Sequence, residues 1–210
     1  DVYKRQVLFP NGEIFGAFWN ELGTRLADHE VHIGQVCLMT THYHLLVKAN
    51  PDQLAGALKL AHGKLAWFRN RGGARRGRLF AGRYSVLPIH DSRHQANVVR
   101  YIPRNPVKAG MVREPEEWQW STHRVLVEHE PVPEWFDVRR ALGLTGFLDV
   151  RNYQRYVGSH APLAHPPLSE SELIDHRVRL LWERGLSDRE IAERLEIPEW
   201  RARQAIRTSG

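Results

Sequence analysis

The apolar side chains of the first seventy residues recur mainly at a helical spacing. Between Ile14 and Leu26 they are four residues apart, which places them along one face of a helix over Ile14–Asp28. The sequence Asn50-Pro51-Asp52 is typical of a turn followed by a helix start, and the apolar pattern from Leu54 to Phe68 predicts a second helix. Two amphipathic helices therefore frame the segment that lies between them.

That segment changes to a pattern typical of strands. β-Branched residues predict a strand from Val31 to Leu38 and another from His42 to Ala49, joined by a tight turn into a hairpin. A further strand is predicted over Leu79–Ile89. A third helix is predicted to begin at Asp91 or Ser92 and to stop at Asn105-Pro106, because the residue before a proline disfavours the helical conformation.

The order of these elements predicts an α+β fold. Helix, hairpin, helix, strand and helix suit an antiparallel sheet with helices packed on one face. A ferredoxin-like fold would have one more strand before the first helix, so we expect that the N-terminal strand is missing from this chain. The tryptophan-rich stretch Val107–Arg151 is expected to pack against the sheet.

The last fifty residues have a different character. Residues 158–168 are rich in proline and small side chains and predict a linker between a domain at 1–157 and a domain at 169–210. Serine and glutamate three residues apart, at Ser169 and Glu172 and again at Ser187 and Glu190, fit capping boxes.

Helices are predicted there at Asp188–Leu195 and Glu199–Arg207, with Gly185 ending the helix before them. Helix, short turn and helix are typical of a helix-turn-helix unit that binds DNA, and a helical hairpin for protein contact is the alternative. The candidate DNA-binding residues of the last helix are Arg201, Arg203, Gln204 and Arg207.

Charge is distributed unevenly along the 210 residues. From Lys59 to Arg113 there are thirteen basic residues and one acid, Asp91, so this segment carries +12 while the rest of the chain carries −6. A block of one sign attracts a polyanion, and nucleic acid is the expected partner. The candidate DNA-binding residues here are Arg75, Arg76, Arg78, Arg83, Arg100, Arg104 and Lys108. Trp67, Phe68, Phe80 and Tyr84 are candidates either for base stacking or for the core.

Other compositional features limit the class of protein. The sequence contains no run of 18 or more apolar residues, so no membrane span is predicted. The single cysteine, Cys37, excludes an internal disulfide framework and favours a cytoplasmic protein.

Candidate chemistry is concentrated at two places. His42 and His44 are two residues apart in a predicted strand, so their side chains would share a face and could bind one divalent metal, although such a pair is more often an ordinary pair of imidazoles. Tyr101 and Asn105 are four apart on the third helix and would supply a hydroxyl nucleophile and an amide ligand, or would simply pack.

Three motifs, read together, resemble one family. They are LMTTHYHLLVK from Leu38, RGRLFAGRYSVL from Arg76 and RYIPRNPVKAG from Arg100, and they are similar to the REP-associated tyrosine transposases, a branch of the single-tyrosine HUH transposases. The resemblance implies a ferredoxin-like fold with Mg²⁺ or Mn²⁺ as cofactor. It also implies cleavage and rejoining of single-stranded DNA beside a palindromic hairpin, with the 5′ phosphate held on a tyrosine.

Carried onto this sequence, the resemblance makes His42 and His44 metal ligands, Tyr101 the nucleophile and Asn105 the third ligand. Thr41 and Pro103 depart from the family pattern, which usually has asparagine and often histidine there. A proline inside a helix costs roughly 3 kcal/mol, so we expect a kink that could turn Asn105 away from Tyr101. The alternative functions are a non-catalytic DNA-binding protein that keeps the fold and a zinc-dependent hydrolase, which would need another ligand near the pair.

Overall fold

The computed structural model describes residues 7–71, 79–80, 84–127, 131–147, 149–159, 170–195 and 197–207. They group into two compact units, which are described separately. One contains the described residues of Asp1–Arg83 and His90–Ala164, and the other contains those of Tyr84–Ile89 and His165–Gly210. In the part of the chain that the structure describes, no helix is both long and apolar enough to cross a bilayer.

The first helix, α1, spans Gly12–Asp28 and confirms the helix predicted from the apolar spacing. It begins two residues earlier than predicted because Asn11 caps it, accepting a hydrogen bond from the Ile14 N–H at 3.0 Å. The face that it buries includes Phe18 and Leu22.

The predicted hairpin is also present. Strands β1 (His32–Leu38) and β2 (Tyr43–Lys48) pair antiparallel, with a bulge between Ile33 and Gln35. The Met39 N–H donates to the His42 carbonyl at 2.8 Å and closes the turn, so His42 lies one residue before β2. The described residues contain only this two-stranded sheet. They include no further strands of the larger sheet that a ferredoxin-like fold would have.

The hairpin carries helices on both faces. Helix α2 spans Pro51–Asn70, as predicted, and begins at a capping box formed by Asn50 and Gln53. The adjacent residues Tyr43 and His44 point to opposite sides of the strand. Tyr43 contacts Phe18 of α1 and His62 of α2, whereas the ring of His44 lies against Tyr101 of the next helix. The expectation of helices on one face is therefore wrong.

Helix α3 spans Ser92–Lys108 and is capped by Asp91, as predicted. Its predicted end at Asn105-Pro106 is wrong, because the helix continues through Pro103 and Pro106. Side chains donate to the carbonyls that these prolines cannot serve, which is described with the site below.

Four short helical segments complete this unit. They are a 3₁₀ turn at Pro115–Glu117 and helices α4 (Thr122–Leu126), α5 (Val138–Thr145) and α6 (Val150–Gly158). The tryptophans of this region were expected to pack against the sheet, but the rings of Trp120 and Trp135 pack against α1. Trp118 donates from Nε1 to the Leu38 carbonyl at 2.8 Å, and the Trp135 ring lies close to Gly23 of α1. The Leu38 N–H donates to the Trp120 carbonyl at 2.9 Å, so this segment borders the free edge of β1.

The described residues of Leu79–Ile89 do not form the predicted strand. Residues 81–83 lie outside the described residues, and Tyr84–Ile89 has no strand structure and belongs to the second unit. Pro88 lacks the N–H that a ladder needs, which explains part of the failure.

The second unit contains three helices, α7 (Glu170–Glu183), α8 (Asp188–Leu195) and α9 (Glu199–Arg207). The last two have the predicted bounds. Gly185, at φ +84°, ends α7, and the Leu186 N–H donates to the Leu181 carbonyl at 3.2 Å. The buried core consists of Val178, Ile191, Ala192, Ala202 and Ala205.

The capping box at Ser187 and Glu190 is confirmed, since the Ser187 N–H donates to the Glu190 carboxylate at 2.9 Å and the Glu190 N–H donates to Ser187 Oγ at 3.4 Å. The box predicted at Ser169 and most of the predicted linker lie outside the described residues. The proposed domain boundaries stay a prediction.

Candidate functional site

His42 and His44 converge at the start of β2. Their Nε2 atoms are 3.1 Å apart, and the two rings meet nearly at right angles. The hydroxyl of Thr41 lies 3.0 Å from His42 Nδ1. This contact holds the His42 ring so that its other nitrogen faces His44, which gives Thr41 a role that its departure from the family pattern did not suggest.

His44 is neutral at physiological pH. Burial, and to a smaller extent the neighbouring His42, lowers the pKa of His44 to about 4. A neutral imidazole keeps a lone pair that can bind a metal, whereas a protonated ring cannot.

The pair fits a divalent metal. Two ligand atoms at about 2.1 Å from one ion and at right angles to each other lie about 3.0 Å apart, which is close to the observed separation of the nitrogens. The same distance suits a hydrogen bond between two neutral rings. Among the described residues, no cluster of three or more His, Cys, Asp and Glu side chains includes the pair. Further ligands would have to come from an amide, from solvent or from a substrate.

Tyr101 lies beside the histidine pair. Its half-buried ring packs edge-on against His44, with 5.4 Å between the ring centroids. The predicted juxtaposition of a tyrosine on α3 with the histidines of the hairpin is therefore present, although its catalytic role stays a prediction.

Asn105 is mostly buried, at 8 % exposure, and its amide is turned onto its own helix. Nδ2 donates to the Tyr101 carbonyl at 2.8 Å and more weakly to the Ile102 carbonyl at 3.4 Å. Pro106 has no N–H for the Ile102 carbonyl, so Asn105 takes part of that role. Both bonds use the nitrogen, and the amide oxygen is the atom that a metal would require.

Gln35 is the residue at this site that the sequence did not reveal. The Val99 carbonyl lies four residues before Pro103 and would normally accept the N–H that proline lacks. Gln35 Nε2 donates to that carbonyl at 3.0 Å across 64 positions of sequence. A polar residue at an inward position of the apolar strand β1 was the available signal.

Gln35 is also part of a buried polar network. Its Nε2 also donates to Tyr153 Oη at 3.0 Å, and that oxygen lies 2.9 Å from His123 Nδ1. His123 Nε2 lies 3.2 Å from Glu116 Oε1. The adjacent His123 side chain lowers the pKa of Glu116 to about 2, whereas burial raises the pKa of Tyr153.

The predicted DNA-binding arginines of α3 are held inside the unit. Arg100 is 5 % exposed, and its Nη1 donates to Ser159 Oγ at 2.8 Å. Arg104 Nη1 donates to the Val157 carbonyl at 3.0 Å, whereas Lys108 is exposed. These contacts attach α3 to the end of α6. Arg75, Arg76, Arg78 and Arg83 lie outside the described residues, so their assignment to DNA stays a prediction.

The candidate residues of α9 differ in how they are engaged. Arg201 pairs with Asp175 at 2.5 Å, and Arg203 pairs with Asp188 at 2.5 Å and also with Glu199. Gln204 and Arg207 are exposed. The first two would have to exchange a carboxylate for a phosphate in order to bind DNA.

The candidate stacking residues are divided. Trp67 is 49 % exposed and lies under two cations, with Lys64 Nζ at 4.7 Å and the Arg71 guanidinium at 5.0 Å from its ring centroid. Phe80 stacks on His62 at 4.0 Å. Phe68 packs edge-on against Trp67, and Tyr84 belongs to the second unit.

One curated relative resembles the chain. It is a Haemophilus influenzae protein named "Putative REP-associated tyrosine transposase", 28 % identical over 110 residues. The match covers 47 % of this chain and 62 % of the relative, so the chain spans less than two thirds of that protein. No protein-family model and no solved structure matches the chain. This distant similarity supports the resemblance that the three motifs carry.

Proposed function

We propose that this protein is a metal-dependent enzyme that cleaves single-stranded DNA beside a hairpin and rejoins it through a tyrosine. One observation carries the proposal: the two convergent nitrogens of His42 and His44 lie next to the ring of Tyr101. A pair of imidazoles beside a hydroxyl nucleophile suits the transfer of a phosphodiester.

The proposed reaction has a cleavage step and a joining step, both at Tyr101. In the proposed reaction, Tyr101 Oη attacks a DNA phosphorus, and the bond from phosphorus to the 3′ oxygen of the preceding sugar breaks. The tyrosine proton passes to solvent and the departing oxygen takes up a proton, which leaves a 5′-phosphotyrosine and a free 3′ hydroxyl. Attack of a 3′ hydroxyl on that phosphotyrosine reverses the chemistry and joins the strands.

His42, His44 and the amide oxygen of Asn105 are the groups that would hold Mg²⁺ or Mn²⁺. When bound, such an ion supplies polarisation of a phosphate oxygen and offsets its charge. Thr41 keeps the His42 ring in place, and the burial of His44 keeps that ligand unprotonated.

The second unit is proposed to add affinity for duplex DNA. Arg207 and Gln204 are exposed on α9, next to an exposed Trp200. Phosphate contacts of this kind make binding sensitive to salt. Substitution of Arg207 by Ala should weaken duplex binding and reduce its salt dependence, measured by fluorescence anisotropy. Unchanged binding and salt dependence would assign α9 to protein contact.

The adduct between protein and DNA is the direct test of the enzymatic proposal. Incubation with a labelled single-stranded DNA that carries a hairpin, in the presence of Mn²⁺, should give a species that survives denaturing electrophoresis. Tyr101→Phe and EDTA should each abolish it. Tyr156→Phe is the matched control, because Tyr156 is a half-buried tyrosine on α6 whose ring packs against Arg100 and Phe147.

Two results would contradict the proposal. An adduct that persists in Tyr101→Phe would place the nucleophile elsewhere. Salt-sensitive DNA binding without any adduct, and indifferent to EDTA and to His42→Ala with His44→Ala, would make the protein a non-catalytic DNA-binding protein.

A further inference from the structure

Helix α3 contains a defect close to the candidate nucleophile. Pro103 has no N–H, and the Val99 carbonyl is the group that such an N–H would serve. A bare carbonyl in a buried environment is costly. The Gln35 side chain, which is 1 % exposed, fills the position with a hydrogen bond of 3.0 Å.

The orientation of this amide is fixed by its surroundings. The Val99 carbonyl only accepts hydrogen bonds, so the amide nitrogen must face it. The same nitrogen donates to Tyr153 Oη, which is fully buried and in contact with His123. Gln35 therefore cannot turn without breaking two buried bonds.

The bond lies beside the contact between the candidate nucleophile and the metal ligands. Gln35 pairs with Leu46 and Cys37 pairs with His44, so Gln35 and His44 lie on the same face of the hairpin. Val99 and Tyr101 are two residues apart on α3. The hairpin thus contacts α3 through a hydrogen bond at Val99 and through the ring of His44 at Tyr101.

We propose that Gln35 is a positioning residue for Tyr101: its amide replaces the N–H that Pro103 lacks and so sets how α3 presents Tyr101 to His42 and His44. The inference rests on the proposed function. It assigns to Gln35 no contact with DNA or metal, since Gln35 acts through the backbone of α3.

The proline offers a specific rescue. In Gln35→Leu the Val99 carbonyl loses its donor and α3 can shift against the hairpin. Pro103→Ala restores a backbone N–H four residues after Val99, which can donate to that carbonyl without Gln35. A defect caused by the missing donor at Val99 is therefore repaired by the second substitution. A defect caused by poor packing of leucine, or by the lost bond to Tyr153, is not repaired.

The experiment uses Gln35→Leu, Pro103→Ala and the double variant in the full chain, with Mn²⁺ and the hairpin DNA described above. We expect Gln35→Leu to slow adduct formation about tenfold or more, as small misplacements of reacting groups do. Pro103→Ala and the double variant should remain near the wild-type rate. Mn²⁺, followed by electron paramagnetic resonance, should still bind in every variant because both histidines remain. Any weakening in Gln35→Leu that comes from the displacement of Asn105 with α3 should be repaired in the double variant.

Gln95 provides the matched control. It lies on α3, and its Nε2 donates to the Leu144 carbonyl at 2.7 Å, a bond of the same kind that no proline requires. Pro103→Ala should not repair any defect of Gln95→Leu. Equal repair of both variants, or an unchanged rate in Gln35→Leu, would overturn the inference.

A second readout keeps the inference separate from the proposed function. Nuclear Overhauser effects between the rings of Tyr101 and His44 should be lost in Gln35→Leu and recovered in the double variant. If the wild-type protein forms no adduct, the proposed function fails, and these ring contacts still decide whether Gln35 positions Tyr101. If these ring contacts persist in Gln35→Leu, the positioning role of Gln35 is overturned.

Discussion

Helices α3 and α8 both begin at a side chain that caps the first turn, Asp91 in one and Ser187 in the other. They are completed in different ways. The box at Ser187 and Glu190 and the Gly185 turn before it are formed by residues within a few positions of α8. Helix α3 passes two prolines and relies on Gln35 from β1, 64 positions away.

The two units differ in whether their helices are determined by nearby residues or by contacts between residues distant in the chain. Local signals specify α8 and α9, and their bounds were predicted correctly from sequence. The unit with the histidine pair depends on contacts between distant residues, such as Trp135 on Gly23 and Gln35 on Val99. Substitutions at such contacts should cost more than substitutions of local caps.

The largest effect is expected for Gly23→Ala. A Cβ at this position would lie 2.1 Å from Trp135 Cδ2, so the indole must move away from α1. We expect a loss of about 3 kcal/mol in the free energy of unfolding, measured by urea denaturation followed by tryptophan fluorescence.

Gly63→Ala is its control in α2, where a Cβ would meet no atom within 4 Å. This substitution should instead stabilise by about 0.5 to 1 kcal/mol. Equal effects of the two substitutions would remove the distinction between long-range and local determinants.

A smaller effect is expected for Glu116→Gln, and it should depend on pH. The contact with His123 lowers the pKa of Glu116 to about 2 in the folded protein, from 4.5 in the unfolded chain. The stabilisation is therefore complete above pH 4.5 and is lost as the pH falls through about 2. Because the carboxylate is partly exposed, we expect only about 1 kcal/mol at neutral pH.

Urea denaturation at several pH values tests this prediction, since the difference between wild type and Glu116→Gln should shrink steadily below pH 4.5. Glu190→Gln offers the local comparison. The hydrogen bond from Ser187 lowers the pKa of Glu190, but this carboxylate is on the surface. A pH dependence larger for Glu190 than for Glu116 would reverse the expected order.

Gly185→Ala should destabilise the second unit by about 1 kcal/mol, because alanine adopts a positive φ only with strain. The observed φ is +84°. Hydrogen exchange of the full chain should show faster exchange in α7 and α8, with little change in α1 to α3. Loss of protection throughout the chain would mean that the two units do not unfold separately.

The smallest effect is expected for Glu30→Gly, which should stabilise by a few tenths of a kcal/mol. Glu30 follows α1 with φ +56°, a conformation that glycine adopts without strain. The gain is partly offset because Glu30 Oε2 accepts a hydrogen bond from Gln53 at 3.2 Å. Thermal unfolding compared with Glu30→Ala, which loses the hydrogen bond but keeps the strained positive φ, separates the two contributions. A loss of stability in Glu30→Gly would show that the hydrogen bond is the larger one.

The elements that the sequence predicted well are those with local causes. Helices α1, α2, α8 and α9 follow from apolar spacing and caps, and the hairpin follows from β-branched residues and a short turn. The side chains of His42 and His44 were expected to share a face, and their nitrogens do converge. The continuation of α3 could not be predicted, because a proline within a helix is penalised unless a distant donor is known.

The contacts at the site that the sequence did not reveal have the same origin. Residues Arg100 and Arg104 look like phosphate ligands in sequence, but Ser159 and Val157, more than fifty positions later, accept their hydrogen bonds. Gln35 looks like an isolated polar residue in a strand until its partner on α3 is known. In each case the role of a side chain is decided by an acceptor that is distant in the chain.

The pairing of Gln35 with Pro103 also restricts the order in which the two positions can change during evolution. A lineage that lost the glutamine first would pass through a protein with a bare buried carbonyl, whereas a lineage that lost the proline first would not. Related sequences should therefore tolerate apolar residues at position 35 only where position 103 carries an N–H. We therefore expect Gln35 to be retained wherever Pro103 is retained.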